Sequence, residues 1–181
     1  MSSWPAIARK IRVPLGFFLA AAYLWLARPT ARSIILGTII ILPGLLLRGI
    51  ASGFVRKNTE LTTGGPYAYT RNPLYLGSLI LAAGFAVAAR SLWIVLILVV
   101  LLIAIYLPVV RSEEAFLRSQ FPEFADYAGR VPRFLPRWRA SQPGGGSFSS
   151  ALYWKHREYN ALLGSAVIMA ALVAKLLWFA R

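Results

Sequence analysis

The chain has no cysteine and a single histidine, His156, among its 181 residues. Disulfides, iron–sulfur clusters and thiolate chemistry are therefore excluded, and so is a histidine-rich metal cage. Acid is scarce as well: six Asp and Glu stand against 20 Lys and Arg, a formal charge of +14. Only 14% of the residues are charged and 58% are hydrophobic, a composition suited to lipid rather than to a soluble domain. The positive excess then reads as a topology signal and an attraction to anionic headgroups. A nucleic-acid surface is not expected, because the arginines are strung along the borders of apolar runs rather than gathered on one polar face. No cleavable leader is expected either, since the first apolar run begins only at Val13 and the C-terminal part is equally apolar.

Crossing a hydrocarbon core takes roughly 20 helical residues. The apolar runs predict about five spans in an all-α integral membrane protein: Val13–Ala27, Ser33–Leu47 continuing towards Val55, Pro73–Ala89, Ser91–Val110 and Tyr159–Phe179. Pro43-Gly44 is expected to kink the second span. A minimal turn at Arg90 is expected to pair the third and fourth as an antiparallel hairpin, and Lys175 to snorkel outwards from the fifth. With the N-terminus inside, all but five of the 20 basic residues fall on the cytoplasmic side, the exceptions being Arg28, Arg32, Arg90, Lys175 and Arg181. This orientation implies an inner-membrane protein with its C-terminus outside. Residues 1–139 then form a four-span module, residues 140–158 a linker with an interfacial segment, and residues 159–181 a fifth helix. Ala140–Ser150, rich in glycine and serine, reads as flexible.

Both substantial polar stretches, Arg56–Asn72 and Arg111–Glu158, lie on the same side of that topology. In the first, Gly64-Gly65-Pro66 makes a turn, Pro73 opens a helix and Asn72 is its expected N-cap. Tyr67, Tyr69, Arg71 and Tyr75 sit at the interface, where an aromatic belt with a positive-inside arginine is the plain reading. In the second, Glu113 and Glu114 stand where a helix leaves the hydrocarbon, loosened by Pro108. An exposed Glu114–Arg118 pair at i,i+4 is the plain reading there, although carboxylates kept beside a bilayer tend to have partners. Val131–Pro136 cannot be helical and is expected to cross the cytoplasmic mouth as an extended strap.

The order G-P-Y-x-x-x-R-x-P-x-Y-x-G over Gly65–Gly77, a helix pair, then E-E-x-x-L-x-x-x-F-x-x-F-x-x-Y-x-x-R-V-P-x-x-L-P over Glu113–Pro136 resembles the isoprenylcysteine carboxyl methyltransferase family. That family belongs to a wider group that includes the membrane phospholipid N-methyltransferases. The resemblance implies an S-adenosylmethionine site between the cytoplasmic end of the bundle and a C-terminal cap, with a lipophilic or lipidated acceptor arriving from the bilayer. It implies that Tyr67, Arg71, Asn72, Pro73 and Tyr75 line the cofactor pocket. Glu113 and Glu114 would hold polar groups of the cofactor, and Tyr127, Val131 and Pro132 would close the site. Arg130 would lie at the reaction centre and orient an acceptor carboxylate. Asn72 departs from the histidine usual in carboxyl methyltransferases and is closer to the phospholipid enzymes.

Methyl transfer from a sulfonium needs alignment and exclusion of water rather than a metal. Tyrosine faces can hold the cation and carboxylates its polar groups. A carboxylate acceptor is nucleophilic without a base, whereas an ammonium must first lose a proton. Glu114 is the candidate base for the second case. The residues thus lean towards carboxyl O-methylation, with an aminophospholipid as the alternative. Two readings from other classes remain: an NADPH-dependent reductase of the steroid 5α-reductase type, weakened by Leu74 and Ser78 where those enzymes carry asparagine and an acid, and a membrane scaffold or small channel subunit, which leaves the ordered motifs unexplained.

Overall fold

The computed structural model describes residues 16–56, 59–141 and 146–179. The start of the first expected span, its preceding basic residues, Lys57, the centre of the glycine linker and Arg181 lie outside the described residues. Every regular element among the described residues is helical. Three helices are long and apolar enough to cross a membrane: Ala31–Phe54, the continuous Leu92–Gln120, and Tyr159–Phe179. Two more apolar helices, Gly16–Leu26 (α1) and Pro73–Ala89 (α3), are shorter.

Helix α2 (Ala31–Phe54) starts at a reciprocal cap. The Thr30 hydroxyl accepts from Ser33 N at 3.2 Å and Ser33 Oγ accepts from Thr30 N at 2.9 Å, which satisfies two end groups at once. Pro43 lies inside this unbroken 24-residue helix. Its neighbour Gly44 serves contact, lying against the backbone of α3. A Cβ there would stand 2.9 Å from the Gly77 carbonyl oxygen, and one on Gly84 would stand 2.8 Å from that of Gly37. The glycines are seven residues apart on each helix, two turns, so both contacts fall on one antiparallel seam. In lipid, where burying apolar surface drives little, such close backbone approach is what holds helices together.

The main partner of α3 is therefore α2. The expected hairpin with α4 (Leu92–Leu101) is reduced to contact near the turn, where Arg90 takes a left-handed conformation, φ 49°. At this end Ala27, Ala88, Ala89, Ile94 and Leu172 form a buried cluster joining four helices. Helix α4 passes through a π-helical segment, Leu102–Tyr106, into α5 (Leu107–Gln120). Pro108 has no N–H to give, and the wider turn just before it absorbs the altered register. At 1.5 Å per residue the 29 residues of Leu92–Gln120 reach about 43 Å. That exceeds a hydrocarbon core of about 30 Å, so the charged last turns emerge from it.

Beyond α5, the short α6 (Phe124–Arg130) buries Phe124 and Tyr127 with Val131 against Leu117 and Leu61. The stretch expected to be a free linker is docked on its C-terminal side. Ser149 N donates to the Gly53 carbonyl at 2.9 Å, and Phe148 packs over Gly53 and edge-on to Phe54. Ser149 then caps α7 (Ser150–Lys155), and α8 (Tyr159–Phe179) follows. Lys175 does not snorkel. Its ammonium donates to the carbonyls of Leu24 at 2.5 Å, Trp25 at 3.2 Å and Ala27 at 2.7 Å, the exposed carbonyl end of α1.

Gly84→Ala is expected to lower stability in detergent by about 1–3 kcal/mol, the usual cost of overpacking. Gly164→Ala on α8, where a Cβ meets nothing within 4 Å, is expected to leave it unchanged or slightly raised. A thermal or denaturant melt of the two variants checks the difference.

Candidate active site

A cavity of about 480 Å³ opens between the ends of α2, α3 and α5 and the polar segments beside them. Its wall is built on a turn and a strap. Gly65, at φ +56°, starts the 3₁₀ turn Gly65–Ala68; its missing Cβ admits the Phe54 ring, and the φ alone disfavours any other residue. The strap after Val131 runs beside this turn as an extended chain. Arg71 N donates to the Pro132 carbonyl at 2.9 Å, Thr70 Oγ1 to that of Arg133 at 3.1 Å, and Arg137 N to that of Tyr69 at 3.0 Å.

Glu114 joins the two. It is buried on α5, and Arg133 grips it with Nη2 at 2.6 Å from Oε2 and Nε at 3.1 and 3.0 Å from the two oxygens. Asn72 Nδ2 donates to its Oε1 at 3.0 Å and to the Arg133 carbonyl at 3.2 Å, and Arg71 Nη1 lies 3.6 Å from Oε2. The bond to Glu114 holds the Arg133 guanidinium above its ordinary pKa range. The i,i+4 pair with Arg118 does not form; that guanidinium lies over the Phe124 ring at 5.8 Å. Asn72 occupies the position before α3 but makes no side-chain cap, because its amide is turned to Glu114.

Tyr67, Arg71, Asn72, Pro73, Tyr75, Glu113, Glu114 and Tyr127 all line the cavity. Burial pushes the phenols of Tyr67 and Tyr127 well above their ordinary range, so both stay neutral, and Tyr127 donates to the Tyr67 carbonyl at 2.8 Å. Three expected residues fall outside the lining. Val131 belongs to the small apolar cluster under α6, and Pro132 acts through its carbonyl. Arg130 is exposed, its Nε donates to the Asp126 carbonyl at 3.2 Å, and its own carbonyl accepts from Arg137. It does not line the cavity, its guanidinium being held back along α6 by the Asp126 carbonyl.

Other residues enter that the motifs did not name. Arg48 of α2 reaches the cavity wall, donates to Ser78 Oγ and to the Leu74 carbonyl at 3.3 Å, and pairs with Glu158 at 2.5 Å. Tyr106 lines the same space, edge-on to Tyr75. A basic residue inside an apolar run was the one signal for Arg48. Arg133 gave no local signal, its partner being distant along the chain.

The lining suits an amphiphilic, charged cofactor. Arg71 Nε is buried with no hydrogen-bond partner, an unmet donor on a residue in the cavity wall. Beside it are Glu113, which has no ion-pair partner among the described residues, and the rings of Tyr67, Tyr75, Tyr106 and Tyr127. A carboxylate, an ammonium and a sulfonium would each find a complement there.

A family model described as phospholipid methyltransferase matches residues 32–123, just over half of the chain. The chain belongs to the phospholipid methyltransferase family. The match runs from α2 to the end of α5 and takes in Gly65–Gly77 and both glutamates, while α6, the strap, α7 and α8 lie beyond it. Membership supports a membrane methyltransferase in broad terms. Two curated relatives align over 82 residues: the cobalt-zinc-cadmium resistance protein CzcN of Cupriavidus metallidurans at 44% identity, and the nickel-cobalt-cadmium resistance protein NccN of Alcaligenes xylosoxydans xylosoxydans at 43%. Each alignment covers 45% of this chain and 38% of the relative, so the chain matches well under half the length of either. No solved structure matches the chain.

Removing the carboxylate should leave Arg71 and Arg133 without a counter-charge. Glu114→Ala is expected to cost about 3 kcal/mol, the lower end for breaking a buried pair because Arg133 is partly exposed, and to speed tryptic cleavage at Arg133 and Arg137. Arg130→Ala is expected to alter neither the melting temperature nor cleavage at those two sites.

Proposed function

We propose that this protein is an S-adenosylmethionine-dependent membrane methyltransferase that O-methylates the carboxylate of a lipophilic acceptor, in the manner of the isoprenylcysteine carboxyl methyltransferases. The observation that carries the cofactor assignment is the buried, unmet Arg71 Nε in the wall of a tyrosine-lined cavity. Arg71 would take the cofactor's carboxylate, Glu113 its ammonium or ribose hydroxyls, and the rings of Tyr67, Tyr75 and Tyr127 its sulfonium. When bound, S-adenosylmethionine supplies a methyl on a positively charged sulfur; an acceptor oxygen takes that methyl as the carbon–sulfur bond breaks, the electron pair stays on sulfur, and no proton moves. Pro73 and Asn72 fix the wall rather than touch reacting atoms. The excess of basic residues on one side of the expected topology supports a cavity on the cytoplasmic face of the inner membrane, where bilayer lipids and an amphiphilic acceptor would be its partners.

The carboxylate acceptor is favoured because the candidate base is occupied. Glu114 already accepts from Asn72 and Arg133, so its lone pairs are not available for a substrate proton. His156 is turned to the Ser52 carbonyl, 3.0 Å from Nδ1, and does not line the cavity. The description of the matched family favours a second reading, an aminophospholipid acceptor, for which Glu113 is the carboxylate at hand.

Calorimetry on the detergent-purified chain is expected to give saturable binding of S-adenosylmethionine and S-adenosylhomocysteine and none of NADPH. Arg71→Gln is expected to weaken both by about tenfold or more, the worth of a charge-assisted hydrogen bond. Binding of NADPH alone would transfer the case to a reductase.

A further inference from the structure

The Arg48–Glu158 pair stands at a junction between two spaces. Arg48 lines the large cavity, and Glu158 closes one end of a separate apolar groove of about 370 Å³ on the outer side of α2. Leu42, Leu45, Leu46, Ile50 and Leu162 give that groove its walls, between α2 and α8. The ion pair thus has one partner in the wall of each space. Arg48 lies six residues before the end of α2, about 9 Å along the axis. A guanidinium held at that depth in an apolar helix is costly and calls for a functional account. Glu158 is delivered by the turn between α7 and α8, where Arg157 takes a left-handed conformation at φ 53°.

We propose that the groove between α2 and α8 receives the apolar chain of a single-chain carboxylate amphiphile, and that its carboxylate takes the place of Glu158 on Arg48. Arg48, which lines the cavity where Arg130 does not, is then the acceptor-positioning residue, and Glu158 is the internal anion that holds the place until the acceptor arrives. The chemistry is like for like: one carboxylate exchanges for another on the same guanidinium, so Arg48 keeps a counter-charge at both stages, and the displaced Glu158 must turn out to water or take a proton. Ser78 Oγ and the Leu74 carbonyl hold Nη1 of the guanidinium during the exchange. A chain lying in the groove with its polar end in the place of Glu158 brings that end to Arg48 in the cavity wall. Helix α8 and Glu158 lie beyond the family match, which makes this contact an addition of this chain to the shared module.

The inference rests on the methyltransferase reading, and the test separates the two. Carboxyl-labelled palmitate is titrated into the full chain in micelles and followed by NMR, with S-adenosylhomocysteine binding measured by calorimetry on the same samples. A protein-bound carboxylate signal is expected, and palmitate methyl ester is expected to compete at least about tenfold less well. Glu158→Gln, which removes the competing anion, is expected to tighten palmitate binding severalfold and leave S-adenosylhomocysteine unchanged. Arg48→Gln strands Glu158, so the double variant Arg48→Gln/Glu158→Gln is the decisive one. It is expected to fold and to lose the palmitate signal, with any weakening of S-adenosylhomocysteine, whose cavity Arg48 lines, well short of that loss. Palmitate binding that survives in the double variant, or is lost in Arg130→Ala instead, overturns the proposal. So does tighter binding of hexadecylamine than of palmitate to the unmodified chain. Failure of S-adenosylhomocysteine to bind any variant sinks the methyltransferase reading itself.

Discussion

Glu114 is the constraint on which the site depends. One carboxylate, projecting from the helix where it leaves the hydrocarbon, takes the guanidinium of the strap, the amide before α3 and the second guanidinium of the first motif. These groups come from two separated stretches, neither of which has a core large enough to order it alone. The small apolar cluster of Phe124, Tyr127 and Val131 supplies packing, but it carries no direction. Direction comes from the bidentate geometry of Arg133 on Glu114, which admits one register of the strap. Once that register is set, the bonds from Arg71 N, Thr70 Oγ1 and Arg137 N follow along the turn.

Beneath the site, the bundle relies on a different kind of contact. The α2–α3 seam is made by glycines that bring carbonyl oxygens within a methyl's width of the opposite helix. It carries Arg48 to the side of Gly77, where a Cβ would collide with the arginine stem. The absence of a side chain at Gly77 therefore serves both helix packing and the site, since the guanidinium reaches the cavity wall over that gap.

Much of this was legible in the residues. The apolar runs placed the helices to within a few residues, Pro73 marked where α3 begins, and the proline-rich strap marked where a helix could not be. Most of the residues that line the cavity come from the two ordered motifs. What the residues hid was pairing at a distance. Arg130 and Arg133 lie three apart on a chain that is changing direction, and only the fold decides which of them faces Glu114. Asn72 was readable as a cap because its position is local, yet its amide is claimed by a partner 42 residues away. Lys175 sits near the end of a span, where outward snorkelling is the cheaper local option, but the open carbonyls of α1 offered three acceptors. The seven-residue glycine spacing shared by α2 and α3 was present in the sequence and would have identified their seam.

Helix α8 is fastened near both ends by charge, through Glu158 on Arg48 at one and Lys175 on the carbonyls of α1 at the other. A slip of one turn, about 5.4 Å, would break both fastenings together. The helix is keyed into place like a bar with two pegs, and nothing in that fit depends on the length of chain leading to it. Evolution can therefore lengthen or shorten the glycine-rich passage before Phe148 without moving α8 relative to the cavity.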